Sequence, residues 1–261
     1  MTFDLVVATV GRVAELGLLL DSLERQTHRD FRVLLADQNG DDRLQVLLES
    51  HGSLRIERLS APRGLSRARN AALPHLRADA VAFPDDDCIY PDDLLGRVAA
   101  RLASGLDGLT GREPWWTADA AVLTRDNLWN RAISFTIFLR RDVVERVGAF
   151  DERLGLPASS GEEIDYLIRA LDTGARIEYD PTVVVEHPRK DADLALVGAR
   201  DGASIGYILR KHGYPASVVA RMLLRPAGGA VLHPRRARFH LATLRGRLQG
   251  YRESTSSKTS A

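Results

Sequence analysis

Through the first hundred residues, short apolar runs alternate with stretches of helical spacing. Residues 5–8 form a compact apolar run, and over 13–26 the positions Leu16, Leu19, Leu20 and Leu23 recur as one helix face. The run at 31–36 predicts a second strand, 45–49 a short helix, 54–59 an alternating strand, 65–76 a helix, and 80–83 a fourth strand. Strands alternating with helices indicate βαβ units, and so an α/β fold with a mostly parallel sheet. The pattern then loosens. Strands are predicted at 106–111 and 135–139, and a helix at 162–172 with Ile164, Leu167, Ile168 and Leu171 on one face. Two short strands follow at 176–179 and 182–185, split by Asp180-Pro181. Beyond residue 196 the chain reads as helices broken at 213–215 and again around 226–229, where Pro226 meets Gly228 and Gly229. Residues 253–261 are polar and small and are expected to be disordered.

Composition narrows the class. With 261 residues, 44% apolar and 27% charged, the chain has the make-up of a soluble α/β protein, one large domain with or without an appendage. A single cysteine, Cys88, excludes an internal disulfide and fits a reducing compartment such as the cytoplasm. No signal peptide is expected from the N-terminal residues, no apolar stretch approaches the roughly 20 residues that span a bilayer, and no internal repeat is visible. The net charge of +1 conceals an asymmetry: residues 196–261 hold 12 Lys+Arg against 2 Asp+Glu, leaving −9 on the first 195 residues. A basic extension on an acidic body suggests an anionic partner for the extension, such as a membrane surface. Arg235, Arg236, Arg238, Arg245, Arg247 and Arg252, interleaved with Phe239, Leu241, Leu244 and Leu248, read as a basic amphipathic helix able to lie on an anionic bilayer. A solvated helix packed on the domain is the competing reading. Nucleic acid is not an expected partner, because the extension has few aromatics and no recognised reading motif.

The candidate chemistry centres on Asp85-Asp86-Asp87, directly after the apolar run 80–83. Three carboxylates at the C-terminal end of a buried strand repel one another unless a cation is near, and Mg²⁺ or Mn²⁺ is suited to carboxylate oxygens beside a phosphate. Four further features accompany the triplet. Thr9 and Arg12 lie in the loop after the first strand, where backbone N–H groups and a guanidinium can meet phosphate or base. Asp37 ends the second strand and can accept from an imide N–H or a ribose hydroxyl, or cap a helix. Gly64, Arg67, Arg69 and Asn70 open the helix that leads into the triplet's strand, and arginine suits a pyrophosphate. Glu162, Glu163 and Asp165 follow Gly161 at a helix start, a rigid mount for a general base and equally a stabilising set of acids near the helix dipole. His187 follows the strand at 182–185, and a neutral imidazole is a good ligand for a transition-type cation.

In this order and spacing the features resemble the family-two glycosyltransferases of the GT-A fold, over residues 3–187. The resemblance implies a Rossmann-like nucleotide-diphospho-sugar transferase fold with a C-terminal helical extension, and a divided chain: 1–195 catalytic (1–105 for the nucleotide sugar, 106–195 for the acceptor and base) and 196–261 the basic extension. It also implies a donor contacted by Thr9, Arg12, Asp37, Gly64, Arg69, Asn70, Asp85 and Asp86. A divalent metal, Mn²⁺ or Mg²⁺, would be held by Asp85, Asp87 and His187. Glu163 would be the base of an inverting transfer to a hydroxyl acceptor, with Glu162 and Asp165 as alternatives. Asp86 is expected to face away from the other two, as neighbours in an extended segment do. Ala8 and Gly11 depart from the family's usual Pro and Asn, and the second loop departs at 38–40, which leaves nucleobase and sugar open; Glu163 stands where many members carry Asp, which leaves open which acid is the general base. Trp115 and Trp116 are candidates for stacking on an acceptor sugar, Trp129 for the core, and 154–161 for a lid. A sugar-phosphate nucleotidyltransferase is disfavoured because no glycine-rich, lysine-bearing loop follows the first strand. A non-catalytic binding protein is disfavoured by the intact Asp85, Asp87, Glu163 and His187.

Overall fold

In a computed structural model of the chain, describing residues 1–114, 116–156, 159–188 and 193–253, the predicted alternation forms one mixed sheet. Its elements in the first half are β1 (Phe3–Thr9), α1 (Val13–Glu24), β2 (Phe31–Asp37), α2 (Gln45–Ser50), β3 (Ile56–Ser60), α3 (Leu65–Ala72), β4 (Ala80–Ala82) and α4 (Leu94–Ala103). Then come β5 (Gly108–Arg112), β6 (Ala121–Val122), β7 (Phe138–Arg140), α5 (Arg141–Val147), α6 (Glu162–Asp172), β8 (Ile177–Val184), α7 (Leu194–Lys211), α8 (Ala216–Leu232) and α9 (Ala237–Glu253). The strand order is β3-β2-β1-β4-β7-β5-β8-β6. The β3-β2-β1-β4 half is parallel throughout, and β7 runs antiparallel between β4 and β5. All seven residues of β1 are buried, as expected for a parallel strand covered on both faces.

The chain divides into two compact units: Met1–Phe150 with Tyr166–Pro188, and Asp151–Asp165 with Arg189–Ala261. The first holds the sheet and a core built from Leu5, Val7, Leu16, Leu20, Val33, Leu35 and the apolar face of α4. The second is built on the crossing of α7 with α9, which meet through glycines. A Cβ on Gly206 would lie 2.1 Å from the Arg247 carbonyl oxygen, and one on Gly250 1.9 Å from that of Ala203. Any larger residue at either position would force the helices apart.

Two expected breaks are absent. Residues 176–185 form the single strand β8, not two. Arg112 and Val184 pair after a register shift, so the extra residues around Pro181 bulge out of the ladder, and the Pro181 carbonyl accepts from Arg112 Nε at 2.7 Å. A proline is tolerated there because a bulge needs no ladder N–H. Likewise Pro226 lies inside α8, and the chain turns only at the short 3-10 segment Pro234–Arg236. A mid-helix proline leaves the carbonyl four residues earlier without its N–H. Here that carbonyl belongs to Met222, and Arg247 Nη1 donates to it. Burial, with help from Arg225, lowers the Arg247 pKa to about 10. The first residue of the expected disordered tail, Glu253, still belongs to α9; residues 254–261 lie outside the described set.

Candidate active site

Strand pairing brings the predicted loops to one sheet edge. Thr9 and Asp37 are register partners at the ends of β1 and β2, and Asp85 bridges to Ala8 beyond the end of β4. The triplet itself is a turn, closed by Cys88 N–H donating to the Asp85 carbonyl at 3.2 Å. Because it is not extended, the alternation expected for Asp86 does not apply: Asp86 faces the first loop and is buried. Thr9 Oγ1 donates to Asp86 Oδ2 at 2.8 Å. Arg12 Nη1 bridges Asp86 Oδ1 at 2.7 Å and Asp87 Oδ2 at 2.9 Å. Burial pushes the Asp86 carboxyl up, Arg12 and Thr9 pull it down, and Asp87 pushes it up again; the balance lies above the ordinary value.

Asp85 has a different set of supports. Arg69, 1% exposed, donates from Nη2 to Asp85 Oδ1 at 3.2 Å, and Ser134 Oγ donates to the same oxygen at 3.1 Å. The Arg69 guanidinium lies over the rings of Phe83 and Phe150, at 5.7 and 5.5 Å from their centroids. Asn70 holds that ring in place: its Oδ1 accepts from Phe150 N–H at 2.7 Å and its Nδ2 donates to the Phe150 carbonyl at 3.0 Å. The structure thus gives Asn70 a backbone-clamping part behind the site.

His187 arrives from β8. Paired hydrogen bonds between Ile89 and Glu186, at 2.8 and 3.2 Å, fix the chain just before it, and its ring stacks on Phe135 at 4.8 Å with the planes 3° apart. His187 Nε2 lies 3.0 Å from Asp87 Oδ1. Ligand atoms of Asp85, Asp87 and His187 all fall within 4.8 Å of one another. Two carboxylates and an imidazole suit a hard to borderline divalent ion. Cys88, fully buried beside them, has its thiol pushed well up by burial and by the Asp85 and Asp87 charges, which removes it as a thiolate nucleophile.

Asp37 is clamped on both oxygens: Oδ1 accepts from Asn39 N–H at 2.8 Å and from its Nδ2 at 2.7 Å, and Oδ2 accepts from Arg58 Nε at 2.8 Å. Gly64 opens α3 with φ +118°, a backbone region that favours glycine, and its N–H donates to Gln38 Oε1 at 2.8 Å. Arg67 is exposed. Trp116 is half-buried in the loop after β5, and Trp129 is half-buried with its Nε1 donating to the Arg125 carbonyl at 3.1 Å. Trp115 and residues 157–158 of the expected lid lie outside the described residues.

The acids of α6 belong to the second unit. Glu162 is buried and Glu163 half-buried in the helix's first turn. Asp165, 0% exposed, is enclosed by two basic side chains: Lys211 Nζ at 2.5 Å and His212 Nε2 at 2.8 Å from its Oδ1. Lys211 also reaches Asp151 Oδ2 at 2.8 Å, where Tyr207 Oη donates at 2.6 Å.

Sequence reasoning missed Arg58, Ser134 and Phe135. Phe135 was visible only as part of an apolar run, and Arg58 as one polar residue in an alternating strand. Neither carries a signal without the fold that brings it to the site.

A family model, glycosyl transferase family 2, matches residues 4–149. The chain belongs to this family. A pre-mycofactocin glycosyltransferase of Mycobacterium tuberculosis is 27% identical over 210 aligned residues, covering 63% of this chain and 44% of the relative. The chain therefore spans less than half the length of that curated relative. Among solved structures, the mannosyltransferase PcManGT of Pyrobaculum calidifontis, in complex with GDP-Man and Mn²⁺, aligns with a TM-score of 0.71 at 17% identity, covering 95% of this chain and 86% of that one. S. aureus TarS aligns at 0.65 and 18% identity, covering 93% and 55%. At these identities the likeness establishes the fold, the GT-A arrangement.

Proposed function

We infer that the protein transfers a sugar from a nucleoside-diphosphate donor to a hydroxyl acceptor, with inversion at the anomeric carbon. The observation that carries this reading is the Asp85–Asp87–His187 cluster, flanked by Arg12 and Arg69, at the C-terminal edge of a family-two sheet. Asp85, Asp87 and His187 would hold Mn²⁺ or Mg²⁺, which when bound supplies positive charge against the departing diphosphate. Arg12 adds a guanidinium that can turn to the diphosphate, a group it matches in shape and charge. Asp37, held by Arg58 and Asn39, offers an acceptor toward the base. A PcManGT complex holds GDP-Man and a TarS complex UDP-GlcNAc, so guanine stands beside uracil and thymine as a candidate base.

In the single displacement the acceptor oxygen forms a bond to the anomeric carbon as the bond to the diphosphate oxygen breaks. The acceptor proton passes to Glu163, and the electron pair of the broken bond leaves with the diphosphate. Glu163 is favoured over Glu162 because it is the less buried of the two, and over Asp165 because Lys211 and His212 already surround that carboxylate. Trp116 and Trp115 are the proposed acceptor platform. The working division keeps 1–195 as the catalytic part and 196–261 as an extension, and the single buried Cys88 fits a cytoplasmic setting.

A thermal-shift screen of UDP, dTDP and GDP, each with and without Mn²⁺, tests the reading. Stabilisation by at least one nucleoside diphosphate, stronger with metal, is expected; no response to any of them in Mn²⁺ overturns it. Glu163→Gln should retain that shift while transfer falls about 10²–10⁴-fold. Unchanged transfer moves the base to Glu162.

A further inference from the structure

Of the ten large hydrophobic side chains exposed among the described residues, seven lie on α7, α8 and α9. For Leu241 and Leu248 this follows from how α9 packs. Gly246 and Gly250 face α7, where a Cβ would lie 2.3 and 1.9 Å from the carbonyl oxygens of Ala199 and Ala203. With glycines turned inward, the helix presents Arg238, Leu241, Arg245, Leu248 and Arg252 outward, all exposed and spaced 3, 4, 3 and 4 residues apart along one face. Phe239 and Leu244, which the sequence grouped with these leucines, are half-buried instead.

The junction of α8 and α9 carries the same mixture in sharper form. Val231 and Leu232 are 80% and 75% exposed at the end of α8, and Pro234, Arg235 and Arg236, all exposed, follow at once. Acids are nearly absent: from 194 to 253 only Asp201 and Glu253 occur. No helix of the described residues is long and apolar enough to cross a membrane.

We propose that the α8–α9 junction and the outer face of α9 dock on an anionic lipid bilayer, with Val231 and Leu232 entering the headgroup boundary and the arginines on lipid phosphates. Apolar side chains interleaved with cations, on a helix lying in the surface plane, match an interface that is anionic outside and hydrocarbon within. A polynucleotide would attract the arginines and gain nothing from an exposed Val231-Leu232 pair, which is why the bilayer is favoured. The inference stands independently of the transfer reaction, since it concerns only the second unit's surface.

Co-sedimentation of the full chain with vesicles tests it. Binding is expected to vesicles of phosphatidylcholine with one-third phosphatidylglycerol and not to phosphatidylcholine alone. The double variants Val231→Glu/Leu232→Glu and Arg235→Glu/Arg236→Glu should each weaken that binding about tenfold or more. All four positions are exposed, so folding should be retained, checked by circular dichroism. Absence of wild-type binding overturns the proposal. So does retention of full binding by the Val231/Leu232 variant while the arginine variant loses it, because that describes a site for any polyanion. A dimer of the wild type that dissolves in the Val231/Leu232 variant, without vesicle binding, would assign the face to a second copy instead.

Discussion

Two carboxylate clusters in this chain look alike in composition and differ in how they are neutralised. Asp85, Asp86 and Asp87 share Arg12, Arg69 and His187; Asp151 and Asp165 share Lys211, His212 and Arg153. In the first, the bridging Arg12 is 40% exposed, and burial leaves Asp86 above its ordinary value despite Arg12 and Thr9. In the second, burial pushes Asp151 up, but hydrogen bonds from Arg153, Lys211 and Tyr207 outweigh it and hold the carboxyl well below the ordinary range. A crowded set of carboxylates at a sheet edge can gain by taking on a cation. A fully paired one has nothing further to gain and acts as an anchor. The difference separates the proposed metal site from a brace, although both read as acids in the sequence.

The largest test of this contrast removes one acid from each cluster. Asp87→Asn should lower transfer about 10³-fold, equivalent to roughly 4 kcal/mol, while the melting temperature stays level or rises as repulsion is relieved. Asp165→Asn should do the reverse, costing about 3 kcal/mol of stability in urea melts because Lys211 loses a buried counter-charge and His212 a hydrogen-bond partner. If Asp165→Asn abolishes transfer with stability unchanged, the brace is the base and the contrast fails. Asn70→Ala probes the packing behind the first cluster: without its two hydrogen bonds to Phe150, about 1–2 kcal/mol of stability should go, and Arg69 loses a ring support.

The smallest effect concerns acid. The folded-state pKa of Asp151 lies below its unfolded value, so its network adds stability that is fully present above about pH 4 and is lost as pH falls through the folded value. The stability difference between wild type and Asp151→Asn should therefore be constant from pH 7 to about 5 and shrink below about 4. A difference that grows on acidification contradicts the assignment.

The place of the acids at one sheet edge was legible because their carriers are local. Asp37 and Asp85 each follow a short apolar strand, and a parallel sheet delivers consecutive strand ends to one edge. Their rank order along the chain needed no coordinates. The partners were not legible, because the pairings join residues far apart: Arg12 to Asp86 across 74 positions, Ser134 to Asp85 across 49. The hydrogen bonds between Asn70 and Phe150 were not legible either, since nothing in a helical Ala-rich stretch discloses which backbone it meets. Pro226 read as a helix break for a sound local reason, and only Arg247, 21 residues on, supplies the donor that makes a continuous α8 tolerable.

The sequence by itself determined the α/β alternation, the sheet edge on which the acids collect, and the basic character of the extension, because periodicity and charge are properties of neighbouring residues. Tertiary structure alone decided which cations meet which carboxylates, and which face of α9 looks outward. Both depend on what a distant segment brings: cations in the first case, the α7 backbone against glycines in the second.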